Sequence, residues 1–130
     1  MRKISGTEKT FKQLLQNTKY SIHYYQREYA WQYKQVQELV DDLTDEFLNW
    51  YDPAHDRADV ASYGVYFMGS VVLAGRENAI IDGQQRLSSL SLLLIYLRRR
   101  LLDLGVTIAT VDQMIFSESF GTASFNISVE

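Results

Sequence analysis

Apolar residues recur at steps of three and four in the second quarter of the chain. Val36, Leu39, Val40, Leu43, Phe47 and Trp50 fall on one stripe, with Asp41, Asp42, Asp45 and Glu46 on the other side. That period predicts an amphipathic helix over 34–50. It ends near Tyr51-Asp52-Pro53, because proline cannot continue a helix. A longer helical pattern runs over 84–104, with Leu87, Leu90, Leu94, Leu97, Leu101 and Leu104 as its main stripe. Leu92, Leu93 and Ile95 carry apolar surface round most of its circumference, which marks it as the central helix. Arg98, Arg99 and Arg100 complement the dipole in its last turns, and Gly105 occupies the position where glycine commonly ends a helix. Between these patterns, 66–73 reads as a buried strand, 75–78 as a turn and 79–81 as a second strand. Together they predict a β-hairpin.

The remaining segments are shorter. Residues 10–16 read as a short helix broken by Asn17 and Thr18, and Tyr20-Ser21-Ile22 reads as extended. Residues 24–31 have no clean period and read as a loop running into the next helix. Residues 52–63 read as a polar loop, 108–116 as a helix, and 124–129, with its alternation, as one half-buried strand. A strand needs a pairing partner, so the sequence is expected to have been cut from a longer protein. The fold class expected is α+β: a small mixed sheet with a β-hairpin, packed on the helix at 84–104 and flanked by the one at 34–50.

Composition narrows the function classes. The 130 residues suit one domain with a real core. There is no cysteine, which excludes disulfides, thiolate metal sites and a cysteine nucleophile. Two histidines, His23 and His55, leave little for a His-rich metal site. No apolar h-region follows the first residues, and the longest apolar stretch is too short to span a bilayer. A cytoplasmic, soluble domain with no membrane partner is expected. The net charge of −3 excludes a generally basic nucleic-acid binder. Charge is also uneven: residues 1–27 hold six Lys/Arg against one acid, and residues 28–59 hold two against nine. A polyanion would avoid the second segment, whose plain reading is a solvated helix face and loop.

The chemistry concentrates in Ile81-Asp82-Gly83-Gln84-Gln85-Arg86-Leu87-Ser88-Ser89-Leu90, where a strand meets the long helix. The first N–H groups of a helix lack backbone partners, and the dipole adds positive potential there, so this end can take a phosphate. Gly83 permits close approach of a ligand to the backbone. Arg86 offers a planar fork of donors to phosphate. Gln84 and Gln85 can donate to phosphate or position a water, and Ser88 and Ser89 add hydroxyls one turn in. Asp82 can hold a divalent cation or act as general base toward a water. The structural alternative makes Asp82 an N-cap, with Gln85 completing a capping box. The segment is not a Walker A loop, since Gly-Lys-Ser/Thr is absent, and it is not the dinucleotide glycine fingerprint.

A second segment, Ile22-His23-Tyr24-Tyr25-Gln26-Arg27-Glu28-Tyr29-Ala30-Trp31, repeats the Gln-Arg pair. Its rings offer faces for stacking on a base or a guanidinium, and Arg27 offers a second positive charge. The alternative is that Tyr29 and Trp31 are core residues.

These two segments, with Phe67-Met68-Gly69-Ser70-Val71-Val72-Leu73 between them, resemble the paired signatures of the GmrSD-type family of modification-dependent (type IV) restriction and phage-defence proteins. That family shows I-P-x-Y-Q-R-x-Y-x-W, then F-L-G-S-I-V-L, then I-D-G-Q-Q-R-L-T-T-L. Order and spacing agree over about residues 8–105. His23 replaces the usual proline, which loosens the entry to the Tyr-Gln-Arg segment, and Ser88-Ser89 replace two threonines, which keeps both hydroxyls. The resemblance implies a single ParB/sulfiredoxin-like domain over 1–130, truncated from a longer protein. It implies binding and hydrolysis of a nucleoside triphosphate, whose base the motif does not specify, with Mg²⁺ as helper. It makes Asp82, Gln85 and Arg86 catalytic, with Asp82 also the metal ligand. It assigns Tyr25, Gln26, Arg27, Gly83, Gln84 and Ser88 to nucleotide binding. DNA is then the partner of the longer protein, through a C-terminal nuclease domain or subunit that these 130 residues do not contain, and the chain itself should not cut DNA. Two other functions compete: a non-catalytic ParB-like switch that holds nucleotide or DNA, and a module that recognises modified DNA through the aromatic segment.

Overall fold

The computed structural model describes residues 6–22, 30–66, 68–75 and 78–129. The chain divides into two compact units, one drawn from 1–28 and 71–130 and the other from 29–70.

The first unit begins with α1 (Phe11–Leu15), started by a reciprocal cap. Gln13 N donates to Thr10 Oγ1 at 3.1 Å, and Thr10 N donates to Gln13 Oε1 at 2.9 Å. Asn17, at φ 54, turns the chain out of the helix into β1 (Tyr20–Ile22). The hairpin follows as β2 (Val72–Ala74) and β3 (Ala79–Asp82), antiparallel and with a bulge between Val72 and Leu73. β3 leads into α3 (Gln84–Asp103), which closes with Gly105 at φ 73. There Val106 N reaches Leu101 O at 2.8 Å and Gly105 N reaches Leu102 O at 2.9 Å, the paired bonds of a Schellman end. After α4 (Ala109–Ile115) come β4 (Phe116–Ser119) and β5 (Thr122–Phe125), a separate two-stranded hairpin. It turns on Phe120 and Gly121, both at positive φ. β6 (Ile127–Val129) then returns to the main sheet.

The main sheet has the order β2-β3-β1-β6, with β1 parallel to both neighbours and β2 antiparallel to β3. Tyr20 and Ile22 share one face of β1 by strand alternation. They join Leu15, Ile80, Leu87 and Met114 in the core, with Phe11, Leu14, Val71, Leu94 and Ile127 packed around them. Burying each such aliphatic side chain contributes about 1.5–3 kcal/mol, so this cluster fixes β3 and the first turns of α3. Arg98 Nε donates to Asp112 Oδ1 at 2.7 Å, which ties α3 to α4, and the same guanidinium lies 5.6 Å from the Phe116 ring centre.

The second unit contains α2 (Tyr33–Trp50) and a 3₁₀ helix, Arg57–Ser62. On α2, Leu39 is buried and Val36, Val40, Leu43 and Glu46 are half-buried, while Asp41, Asp42 and Asp45 are exposed. Tyr66 donates its hydroxyl to Asp42 Oδ2 at 2.9 Å.

The α+β class and the long central helix hold, and several boundaries move. The strand expected over 66–73 is regular only over Val72–Ala74, because Gly69 at φ 106 breaks the extended run. It is exposed rather than buried, since β2 is an edge strand. The loop expected over 52–63 holds the 3₁₀ helix, in which Asp59 Oδ2 accepts from Asp56 N at 2.7 Å. The single strand expected over 124–129 is two strands in two sheets, divided at Asn126. The pairing partner it required is β1. The leucine stripe of α3 is buried at Leu87 and Leu90, but Leu97 and Leu104 are exposed. Among the described residues no helix is long and apolar enough to cross a membrane.

Candidate functional site

Core packing positions the Asp82–Arg86 corner from both sides. Ile80 is fully buried in β3 and Leu87 in α3, and only six residues separate them. The chain must therefore turn sharply from strand to helix. Gly83 makes that turn with φ 89 and ψ 11, a left-handed conformation that costs a side-chain-bearing residue roughly 1–2 kcal/mol. Gly83, not Asp82, is the N-cap of α3, and glycine has no side chain to cap with. The capping-box alternative for Asp82 and Gln85 is thereby set aside. Asp82 is instead the last residue of β3, with an exposed carboxylate whose Oδ1 accepts from Gly83 N at 2.9 Å.

The first intrahelical bond here is Leu87 N to Gly83 O at 3.0 Å. The amides of Gln84, Gln85 and Arg86 precede it, and these are the positions whose N–H groups suit an anion. The side chains divide the work differently from the sequence expectation. Gln84 Nε2 donates to Ile80 O at 2.7 Å, so its side chain braces the corner. Ser89 is buried and its hydroxyl donates to Gln85 O at 2.7 Å, a bond back into its own helix. Ser88, Gln85 and Arg86 are half-buried in the first two turns. Tyr25, Gln26 and Arg27 lie outside the described residues.

Sequence reasoning passed over Ser21. It lies in β1 beside Ala79 of β3, is buried, and has no hydrogen-bond partner for its hydroxyl among the described residues. The only signal for it was a polar residue between two core positions. Among the described residues no three His, Asp or Glu side chains gather where they would hold a metal ion. A polar groove elsewhere on this unit, lined by Asn17, Asp112, Gln113 and Glu118 among others, takes in none of the motif residues.

The model of the family described as GmrSD restriction endonuclease, N-terminal domain, matches residues 11–128. Neither curated proteins nor solved structures give a significant match.

Proposed function

Because the chain belongs to the family of GmrSD restriction endonuclease N-terminal domains, we propose that its Asp82–Arg86 corner binds and hydrolyses a nucleoside triphosphate. Hydrolysis would serve as the regulatory step of a modification-dependent restriction protein that acts on DNA. One topological observation carries this reading. β1 and β3 are adjacent and parallel, so their carboxyl ends lie at one edge of the sheet. α3 starts from β3 at that edge, and Ile22 ends β1 there. Neighbouring strands lie about 4.8 Å apart. Arg27 follows Ile22 by five residues, so covalent reach keeps the two Cα atoms within roughly 18 Å. Ligands of sheets with parallel strands bind beyond the carboxyl ends.

The chain's own groups then divide the reaction. The amides at the start of α3 and the Arg86 guanidinium receive phosphate oxygens and favour the charge that builds in the transition state. Gly83 lets the phosphates approach the backbone. Gln85 orients the attacking water and Asp82 takes its proton. The water oxygen bonds to the γ-phosphorus, the bond to the β–γ bridging oxygen breaks, and the diphosphate leaves with that electron pair. Gln26 and Arg27 add donors for the phosphates, Tyr25 offers a ring to the base, and Ser88 adds a hydroxyl.

A lone exposed carboxylate does not make a metal cage, but it would suit Mg²⁺ carried by the triphosphate, with Asp82 as its protein ligand in place of the base role. When bound, the ion supplies charge neutralisation. Phosphate release by the purified protein with each common triphosphate tests the reading, beside Asp82→Ala and Arg86→Ala. Turnover in the parent and a fall of about 100-fold or more in both variants, with unchanged circular dichroism, is expected. Binding without release would make the domain a nucleotide switch. No binding would contradict the site.

A further inference from the structure

The unit drawn from 29–70 carries a surface that the proposed nucleotide site does not use. At the end of α2, Phe47 stacks on Tyr51 with ring centres 5.3 Å apart, and Trp50 stacks on Tyr63 at 6.5 Å and 24°. Phe47 also meets Tyr63 at 5.6 Å, which joins the two pairs. Rings packed this closely usually close off a core. Here Phe47, Trp50 and Tyr51 keep 42%, 48% and 47% of their surface exposed. The platform is also braced. Trp50 Nε1 donates to Glu46 Oε1 at 3.2 Å, and a Cβ on Gly64 would stand 2.7 Å from the indole, so only glycine allows the loop to lie against it. His55 Nδ1 lies 2.9 Å from the Tyr63 hydroxyl.

The field around these rings is negative. Glu46 holds the indole, and the charges of Asp59 and Asp52 act on the Tyr63 hydroxyl, whose pKa is raised chiefly by desolvation, is lowered in part by a hydrogen bond with the Asp52 backbone, and is raised further by those carboxylates. Residues 28–59 carry nine acids against two bases. Exposed rings could in principle stack on nucleic-acid bases, but phosphates would meet like charge at this surface.

We propose that this aromatic–acidic platform docks a basic, arginine-containing segment of a partner protein. A guanidinium is planar, stacks on aromatic faces and pairs with carboxylates in the same plane, which is the combination offered. The braced rings lose little freedom on binding. The contact lies within one unit and is independent of nucleotide hydrolysis.

Fluorescence anisotropy with a fluorescein-labelled nona-arginine peptide tests it on the whole protein near physiological salt. Trp50→Leu and Tyr51→Ser leave the charge unchanged, so attraction by charge alone predicts no effect. The platform predicts that each weakens binding by several-fold to about tenfold. Tyr51→Ser removes an exposed ring at the helix end and keeps the test valid if Trp50→Leu disturbs folding. Unchanged affinity in Tyr51→Ser and any folded Trp50→Leu, or no binding of the peptide, overturns the proposal. So does a platform that takes single-stranded DNA, or a second copy of the chain seen as concentration-dependent mass in sedimentation, in preference to the peptide.

Discussion

Asn126 offers the sharpest energetic prediction. It is 1% exposed and stands at the corner where β5 gives way to β6. Its Nδ2 donates to Leu15 O at 2.8 Å and to Gln113 O at 2.9 Å, and its Oδ1 accepts from the Ser117 hydroxyl. One side chain thus links α1, α4, β4 and the return strand. Asn126→Ala removes three bonds, each contributing about 1 kcal/mol. The two carbonyls are not left bare, since Thr18 N still donates to Leu15 O at 3.3 Å and Asn17 N to Gln113 O at 2.9 Å. The Ser117 hydroxyl does lose its acceptor, and a small cavity opens. The predicted loss is about 3–4 kcal/mol, a large share of a typical stability of about 5–15 kcal/mol. Urea denaturation followed by circular dichroism should show a lower midpoint with an unchanged slope. Ser117→Ala, which removes one bond and leaves the buried Asn126 Oδ1 without that donor, should lose about 1–3 kcal/mol. A loss below about 1 kcal/mol for Asn126→Ala would refute the reasoning.

Three further outcomes follow from the same geometry. The Tyr20 hydroxyl donates to Leu14 O, and burial raises its pKa above the ordinary 10.0. The folded state therefore holds that proton more tightly, stability is intact below pH 10, and it falls as pH climbs toward the folded value; Tyr20→Phe should flatten this decline in alkaline denaturation. Gly83→Ala should lower stability by about 1–2 kcal/mol, read from the urea midpoint, and should weaken nucleotide binding by distorting the corner. The Arg98–Asp112 pair is exposed at 37% and 45%, so Asp112→Asn should shift stability by less than about 1 kcal/mol, with the difference shrinking in high salt.

Elements whose signal is local were legible in the sequence. The α2 stripe and the Pro53 stop place a helix that runs Tyr33–Trp50, and Gly105 marks the end of α3 through its own backbone preference. The motif corner was legible too, because Asp82 and Gly83 sit at a change of hydrophobic period. Pairing was not legible. Alternation over 124–129 fits one strand, and nothing in it says that Phe125 pairs with Phe116 while Ile127 pairs with Tyr20. The break is set by Asn126, whose partners are distant in the chain. Gly69 hid in a run of good strand formers, and only its φ of 106 shows where that run ends. The side chain of Gln84 looked like a phosphate donor, and its bond to Ile80 O depends on a turn that sequence does not specify.

The central claim is that Arg27 and Arg86 serve one anion. A double-mutant cycle on nucleotide affinity, read with a fluorescent triphosphate analogue, measures that directly. The account predicts that Arg27→Ala and Arg86→Ala each weaken binding, and that the double variant loses clearly less than the sum. Strictly additive losses, or an Arg27→Ala variant that binds as the parent does, would contradict it.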